Sequence, residues 1–133
     1  MGKALLQGEL VLAVDFDGTI TTEPEIGHVL VLQPDCKRVL TRLAEDGIKL
    51  MLWTCRTGPG LDEALSFLKA NDMEHLFDTV NDQLQEVKDK YAPHVARKLG
   101  ADFYIDDKNL MFKVVWNEIE EYLYGEVGGE EIA

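Results

Sequence analysis

The chain has 133 residues, 46% of them hydrophobic and 29% charged. That length suggests one domain, and a domain of this size buries roughly 68–70% of its unfolded surface, enough for a core without disulfide or metal staples. With 13 Lys and Arg against 25 Asp and Glu the net charge is −12, which counts against nucleic-acid and membrane partners, a local basic patch aside. Cys36 and Cys55 are too few for a disulfide framework and form no CxxC pair. His28, His75 and His94 are scattered without metal-ligand spacing. No run approaches transmembrane length, and residues 1–9 contain no signal-peptide core, so a soluble cytoplasmic protein is expected.

The first predicted strand covers residues 9–16. Val11-Leu12-Ala13-Val14 runs straight into Asp15-Phe16-Asp17-Gly18-Thr19. A short apolar run closed by a turn signal reads as a buried strand of a parallel sheet. Its carboxylates come at the C-terminal end, the edge where open α/β sheets bind ligands. Asp15 and Asp17 are two apart, so both can face one mouth if the chain stays extended. Two such carboxylates remain ionised together only if a cation or basic groups lie between them. A hard divalent ion with oxygen ligands, Mg2+, is the simple answer. An Asp-Gly turn with both acids solvated is the competing reading, and three later stretches weigh against it.

Residues 19–34 read as a loop broken by Pro24, Gly27 and Pro34, with Val29-Leu30-Val31-Leu32 packing on the core or forming a short strand. Residues 35–46 read as a helix whose inward stripe is Val39, Leu40 and Leu43, stopped by Gly47. Residues 48–54 form the second strand, ending in Thr54, with Cys55-Arg56-Thr57-Gly58-Pro59-Gly60 beyond it. A helix over 61–71 buries Leu61, Ala64, Leu65 and Leu68. A short strand over 77–80 follows, then a helix near 83–90 ended by Pro93 and a helical turn over 94–99 closed by Gly100. Residues 101–105 read as another buried strand, ending in Asp106-Asp107-Lys108. The last helix spans 115–124 with Trp116, Ile119 and Leu123 inward. Residues 126–133 form a Gly/Glu tail expected to fray, leaving 1–125 as the single domain. Strands alternating with helices argue for a mainly parallel sheet covered on both faces. Three strands then end in polar chemistry on one edge: Asp15/Asp17, Thr54 and Asp106/Asp107.

Asp15-Phe16-Asp17-Gly18-Thr19 resembles the first motif of the haloacid-dehalogenase (HAD) superfamily of phosphohydrolases. Leu52-Trp53-Thr54-Cys55-Arg56 resembles its second motif and Tyr104-Ile105-Asp106-Asp107 its fourth. The third is a lone basic residue. Arg97-Lys98-Leu99-Gly100 stands where small members carry it, and Lys98 is preferred to Lys90 by position. The resemblance implies a three-layer Rossmann-like fold with Asp15 as nucleophile and Asp17 as general acid/base. It implies Mg2+ held by Asp15, the Asp17 carbonyl and Asp106, with Asp107 in a nearby or water-mediated role. Thr54, Lys98 and the loop amides after Asp15, Gly18 among them, would contact the phosphoryl group, and Arg56 is a candidate for the same task. Asp at position 17 favours rapid hydrolysis, since superfamily ATPases carry Thr there.

Neither residues 18–47 nor 58–97 leave room for the inserted cap that selects substrate in this superfamily. The chain resembles small capless members with a loop like Pro24-Glu25-Ile26-Gly27. The expectation is a Mg2+-dependent phosphatase acting on a small phosphate ester, such as a sugar phosphate, within a homo-oligomer that covers the open site. A nucleic-acid end or phosphoprotein phosphatase, and a non-catalytic phosphate- or metal-binding module, are the alternatives. A receiver-like module fits poorly, because it places its acceptor Asp after the third strand.

Overall fold

The computed structural model describes residues 10–22, 29–110 and 113–128. The loop Pro24-Glu25-Ile26-Gly27, His28 and the amino-terminal stretch before Leu10 lie outside them. Four strands, β1 (Val11–Val14), β2 (Lys49–Leu52), β3 (Thr79–Val80) and β4 (Phe103–Ile105), form a parallel sheet in the order β3-β2-β1-β4. The helices are α1 (Cys36–Glu45), α2 (Gly58–Ala70), α3 (Gln85–Tyr91) and α4 (Trp116–Tyr124), with a 3-10 turn at Glu74–Leu76. This is the expected three-layer α/β architecture.

Strand alternation divides the core in two. Leu12, Val14, Leu50, Leu52 and Ile105 face the large cluster built with α1, α2 and α4. Ala13 and Met51 face the other way, onto Leu84 and Leu99 beside α3. The period of two along each strand thus sends alternate residues to opposite helix layers. α1 buries Cys36, Val39, Leu40 and Leu43, and Gly47 stops it at φ 86°.

The order places the reversal of chain direction beside β1. From β1 the chain moves to β2 and β3 on one side, then returns to lay β4 on the other. Such a switch point leaves a crevice at the carboxyl ends of the two flanking strands. Here those ends carry Asp15 and Asp106. The stretch between Gly58 and Lys98 is taken up by α2, the 3-10 turn, β3 and α3, which belong to the sheet and the helices that cover it.

Four expectations change. β4 is an edge strand, so Phe103 and Tyr104 remain 38% and 36% exposed rather than buried on both faces. α2 begins at Gly58, because Pro59 is suited to a first helical turn, and its fully buried residues are Ala64 and Leu68 alone. Residues 94–99 are not helical. They are held by the buried Gln83, whose amide nitrogen donates to the carbonyls of Ala96 and Lys98 at 2.8 and 2.6 Å and whose oxygen accepts the Gly100 N–H at 2.9 Å.

The fourth concerns the start of the acidic tail, which is tied down. The Arg38 guanidinium donates to the Gly128 carbonyl at 2.7 Å, and Arg42 pairs with Glu126 at 3.6 Å. Both arginines converge on Glu120, which is fully buried on α4. A side chain at Gly128 would collide with Arg42, with a Cβ 2.3 Å from its Nη1. Ending the chain at Gly125 is therefore expected to lower stability by about 1–2 kcal/mol through the lost charge-assisted bonds. Thermal unfolding of the truncated and full-length chains checks this, and equal melting temperatures would show that the contacts add nothing.

Candidate functional site

β1 ends at Val14, and pairing with β4 continues one residue further, since the Asp15 N–H donates to the Ile105 carbonyl at 2.9 Å. Asp15 and Asp106 are thereby set side by side. The chain then turns sharply, with the Phe16 carbonyl accepting the N–H groups of Thr19, Ile20 and Thr21 at 2.9–3.2 Å. Gly18 makes this turn at φ 80°, a conformation that favours glycine. Space demands glycine as well, because a Cβ there would lie 2.2 Å from an Asp107 carboxylate oxygen.

Asp15, Asp106 and Asp107 form one group whose carboxylate oxygens lie within 4.8 Å of one another. Thr19 joins its two halves. Its hydroxyl donates to Asp15 Oδ2 at 3.0 Å and accepts the Asp107 N–H at 2.9 Å. Thr19 is fully buried, and its carbonyl accepts the Trp116 indole N–H at 2.9 Å, so α4 braces the loop from below. Asp106 Oδ1 accepts the Lys108 N–H at 2.8 Å, and the Lys108 ammonium lies 3.6 Å from Asp107.

The electrostatics follow from this crowding. Burial first, then the neighbouring charge of Asp106, pushes the Asp15 carboxyl up from 3.8 to about 7. Asp107 adds to the rise through its charge and a shared hydrogen bond, while the Thr19 hydroxyl opposes it. A hard cation would relieve the repulsion. Mg2+ prefers hard oxygen ligands, and Asp15, Asp106 and Asp107 would be the residues to hold it. The all-carboxylate donor set fits such an ion.

Asp17 is not in that group. Its carboxylate is gripped by Arg56, Nε to Oδ2 at 2.9 Å and Nη2 to Oδ1 at 2.8 Å. The Asp17 carbonyl accepts no hydrogen bond among the described residues, and the N–H groups of Phe16 and Asp17 donate none. The Gly18 N–H is directed at the Thr21 hydroxyl at 3.3 Å, so among the loop amides after Asp15 it is those of Phe16 and Asp17 that have no acceptor among the described residues.

Thr54 is buried at the end of β2. Its hydroxyl oxygen accepts the Arg56 N–H at 3.1 Å, which leaves its proton available, and its own N–H donates to Asn81 at 2.7 Å. Asn81 occupies a left-handed conformation after β3, φ 53°, which Asn tolerates better than most residues. The ammonium groups of Lys98 and Lys90 lie over the rings of Tyr104 and Tyr91, at 5.6 and 5.4 Å from their centroids. The structure thus gathers Asp15, Asp106 and Asp107, holds Asp17 on Arg56, and seats the Lys98 ammonium over the Tyr104 ring. Thr19, Asn81 and Lys108 are additions. A polar residue four places after a strand-end Asp was the signal for Thr19, and the third residue of Asp106-Asp107-Lys108 for the lysine.

No family model matches the chain, and no curated protein matches it. A solved structure does: a conserved protein from Bacteroides thetaiotaomicron, 33% identical, covering 86% of this chain and 88% of its own, with a TM-score of 0.71.

The Asp15 shift gives a pH signature. The folded state holds this proton up to about pH 7 and the unfolded chain only to about 3.8, so stability from this group is present below 3.8 and lost as pH rises through 7. In chelator, the melting temperature of wild type relative to Asp15→Asn is expected to fall between pH 4 and 7. Millimolar Mg2+ at pH 7.5 is expected to restore it in wild type only. A pH-independent difference would contradict the crowding.

Gly18→Ala tests the geometry. The left-handed backbone alone costs about 1–2 kcal/mol, and the methyl group must displace Asp107. Calorimetric titration should show Mg2+ affinity falling at least tenfold, and an unchanged affinity would show that Asp107 is not part of the cation site.

Proposed function

We propose that this chain, which belongs to the same family as the conserved Bacteroides thetaiotaomicron protein, is a phosphomonoester hydrolase of the HAD type. The observation that carries the reading is the convergence of Asp15, Asp106 and Asp107 at the β1/β4 switch point, beside two amides with no acceptor among the described residues. Carboxylates on one side and donors on the other suit a phosphate ester bridging a cation and an anion-binding turn.

Asp15, Asp106, Asp107 and the Asp17 carbonyl would hold Mg2+. When bound, the ion supplies positive charge to the phosphoryl oxygens and keeps Asp15 ionised. Asp15 Oδ1 is the nucleophile, since Oδ2 is held by Thr19. It attacks phosphorus, the bond to the leaving oxygen breaks, and an aspartyl-phosphate forms. The Phe16 and Asp17 N–H groups and the Thr54 hydroxyl donate to the phosphoryl oxygens. Lys98 or Lys108 adds a cation from the rim. Asp17 gives a proton to the leaving oxygen, then takes one from the water that attacks phosphorus and frees Asp15.

The substrate is read as a small phosphorylated metabolite, a sugar phosphate fitting the net charge of −12 better than a nucleic-acid end. The described residues add no domain over the mouth, so a second copy of the chain narrowing it belongs to the same reading. No helix of the described residues is long and apolar enough to cross a membrane.

The test separates enzyme from binding module. With an aryl phosphate and Mg2+, Asp15→Asn is expected to abolish turnover. Asp17→Asn keeps part of the first step, because a good leaving group needs little acid help, but slows hydrolysis of the intermediate by something like 10²–10⁴-fold. Rapid quench and intact mass measurement should show a phosphoryl adduct on Asp17→Asn and none on Asp15→Asn. Full activity in chelator, or in Asp15→Asn, would sink the phosphatase reading.

A further inference from the structure

Arg56 follows a strand-end Thr and reads, from sequence, as a free cation available to a phosphate. The structure uses it otherwise. Its Nε and Nη2 hold both oxygens of Asp17, at 2.9 and 2.8 Å. Its Nη1 donates to the Gly60 carbonyl at 3.0 Å and to Glu63 at 2.9 Å, both in α2. The guanidinium also lies over the Phe16 ring, 5.2 Å from its centroid. Four of its five N–H groups are thus directed at protein acceptors. The side chain is 19% exposed and its Asp17 partner 35%.

We propose that Arg56 is the positioning residue for Asp17. The inference rests on the phosphatase reading and deepens it. Arginine's planar fork fixes the direction as well as the distance of a carboxylate, which a lysine cannot do. Here the fork keeps Asp17 out of the cation group formed by Asp15, Asp106 and Asp107. Without it, a fourth acidic side chain two residues from Asp15 would be drawn to the ion, where it can no longer serve as acid or base. The grip also defines the proton-transfer geometry. One Asp17 oxygen must leave its N–H and take up a proton from solvent, which it passes to the leaving oxygen, while the other stays bonded and acts as the pivot. Glu63 and the Gly60 carbonyl anchor the fork to α2, so the reach of Asp17 is referred to a rigid helix rather than to its own loop.

A residue that acts through Asp17 must share its dependence on the leaving group. The full chain with Mg2+ is assayed on an alkyl phosphate, glycerol phosphate, and on p-nitrophenyl phosphate. Arg56→Ala is expected to lower kcat/KM, which reports formation of the phosphoenzyme and not hydrolysis of the shared intermediate, on the order of 10²-fold on the alkyl ester and only a few-fold on the aryl ester. Arg56→Lys should follow Arg56→Ala, and guanidinium added to Arg56→Ala should recover activity. In an Asp17→Asn background Arg56→Ala should cost nothing further. A raised KM for both esters with kcat unchanged would make Arg56 a phosphate ligand and overturn the proposal, as would a full additional loss in the double variant. Glu63→Gln, which loosens the fork and leaves its charge, carries the same comparison if Arg56→Ala does not fold. Undiminished turnover in Asp15→Asn would bring down the phosphatase reading, and the positioning role with it. Loss in Asp15→Asn without the leaving-group pattern in Arg56→Ala would remove the positioning role alone.

Discussion

Negative charge crowded at the ends of two adjacent parallel strands governs the rest of this molecule. Asp15, Asp106 and Asp107 bring carboxylate oxygens within 4.8 Å of one another, and burial first, with the neighbouring charge of Asp106 second, pushes the Asp15 carboxyl up to about 7. Nothing in the apolar core requires this arrangement. It persists because several elements each fix one part of it. β1–β4 pairing aligns Asp15 with Asp106, the buried Thr19 hydroxyl links Asp15 to the Asp107 backbone, and Gly18 leaves space for the Asp107 side chain. Such strain against electrostatics, at a switch point and held by dedicated hydrogen bonds, is what the proposed cation-assisted reading rests on.

The polar groups around the cluster are sorted by role through their hydrogen bonds. Asp17 has both oxygens on Arg56, so it stands apart from the carboxylate cluster though it is only two residues from Asp15. Thr54 accepts the Arg56 backbone N–H, which turns its hydroxyl into a donor. The Phe16 and Asp17 amides are left over by a turn in which one carbonyl, that of Phe16, serves three N–H groups. Carboxylate acceptors, and N–H donors without an acceptor among the described residues, are therefore presented side by side from one loop and one neighbouring strand end.

This division was only partly legible in the sequence. Strand ends were readable, because apolar runs stop at Asp15, Thr54 and Asp106; for the inner strands β1 and β2 the runs follow from burial on both faces, and in β4 only Ile105 is buried. Helix α4 was readable from Trp116, Ile119 and Leu123 at helical spacing. Partners were not. Arg56 reads as a free cation until α2 starts early enough to offer Gly60 and Glu63. Residues 94–99 carry helix-compatible composition, but Gln83, some fifteen residues earlier, captures their backbone groups and wins. Lys98 was chosen by position, and its ammonium rests over Tyr104, a ring exposed because β4 is an edge strand. Local pattern shows which faces are apolar; it does not show which distant side chain satisfies a given donor.

The second polar centre shows how the site loop is held in register. Glu120, fully buried, receives Arg38 and Arg42 from α1 at 2.7–3.0 Å. Buried ion pairs are weak evidence for stability, since well-packed apolar side chains often do as well. Direction is where they differ. An apolar stripe of Ile119 and Leu123 lets a helix slide or rotate slightly at little cost, whereas a carboxylate between two guanidiniums fixes its rotation about its own axis. Trp116 is one turn before Glu120 on the same helix, about 6 Å along its axis. Its indole N–H meets the Thr19 carbonyl, and Thr19 in turn holds Asp15. The orientation set by Glu120 is transmitted through one rigid turn of α4 to the residue that links the two halves of the carboxylate cluster.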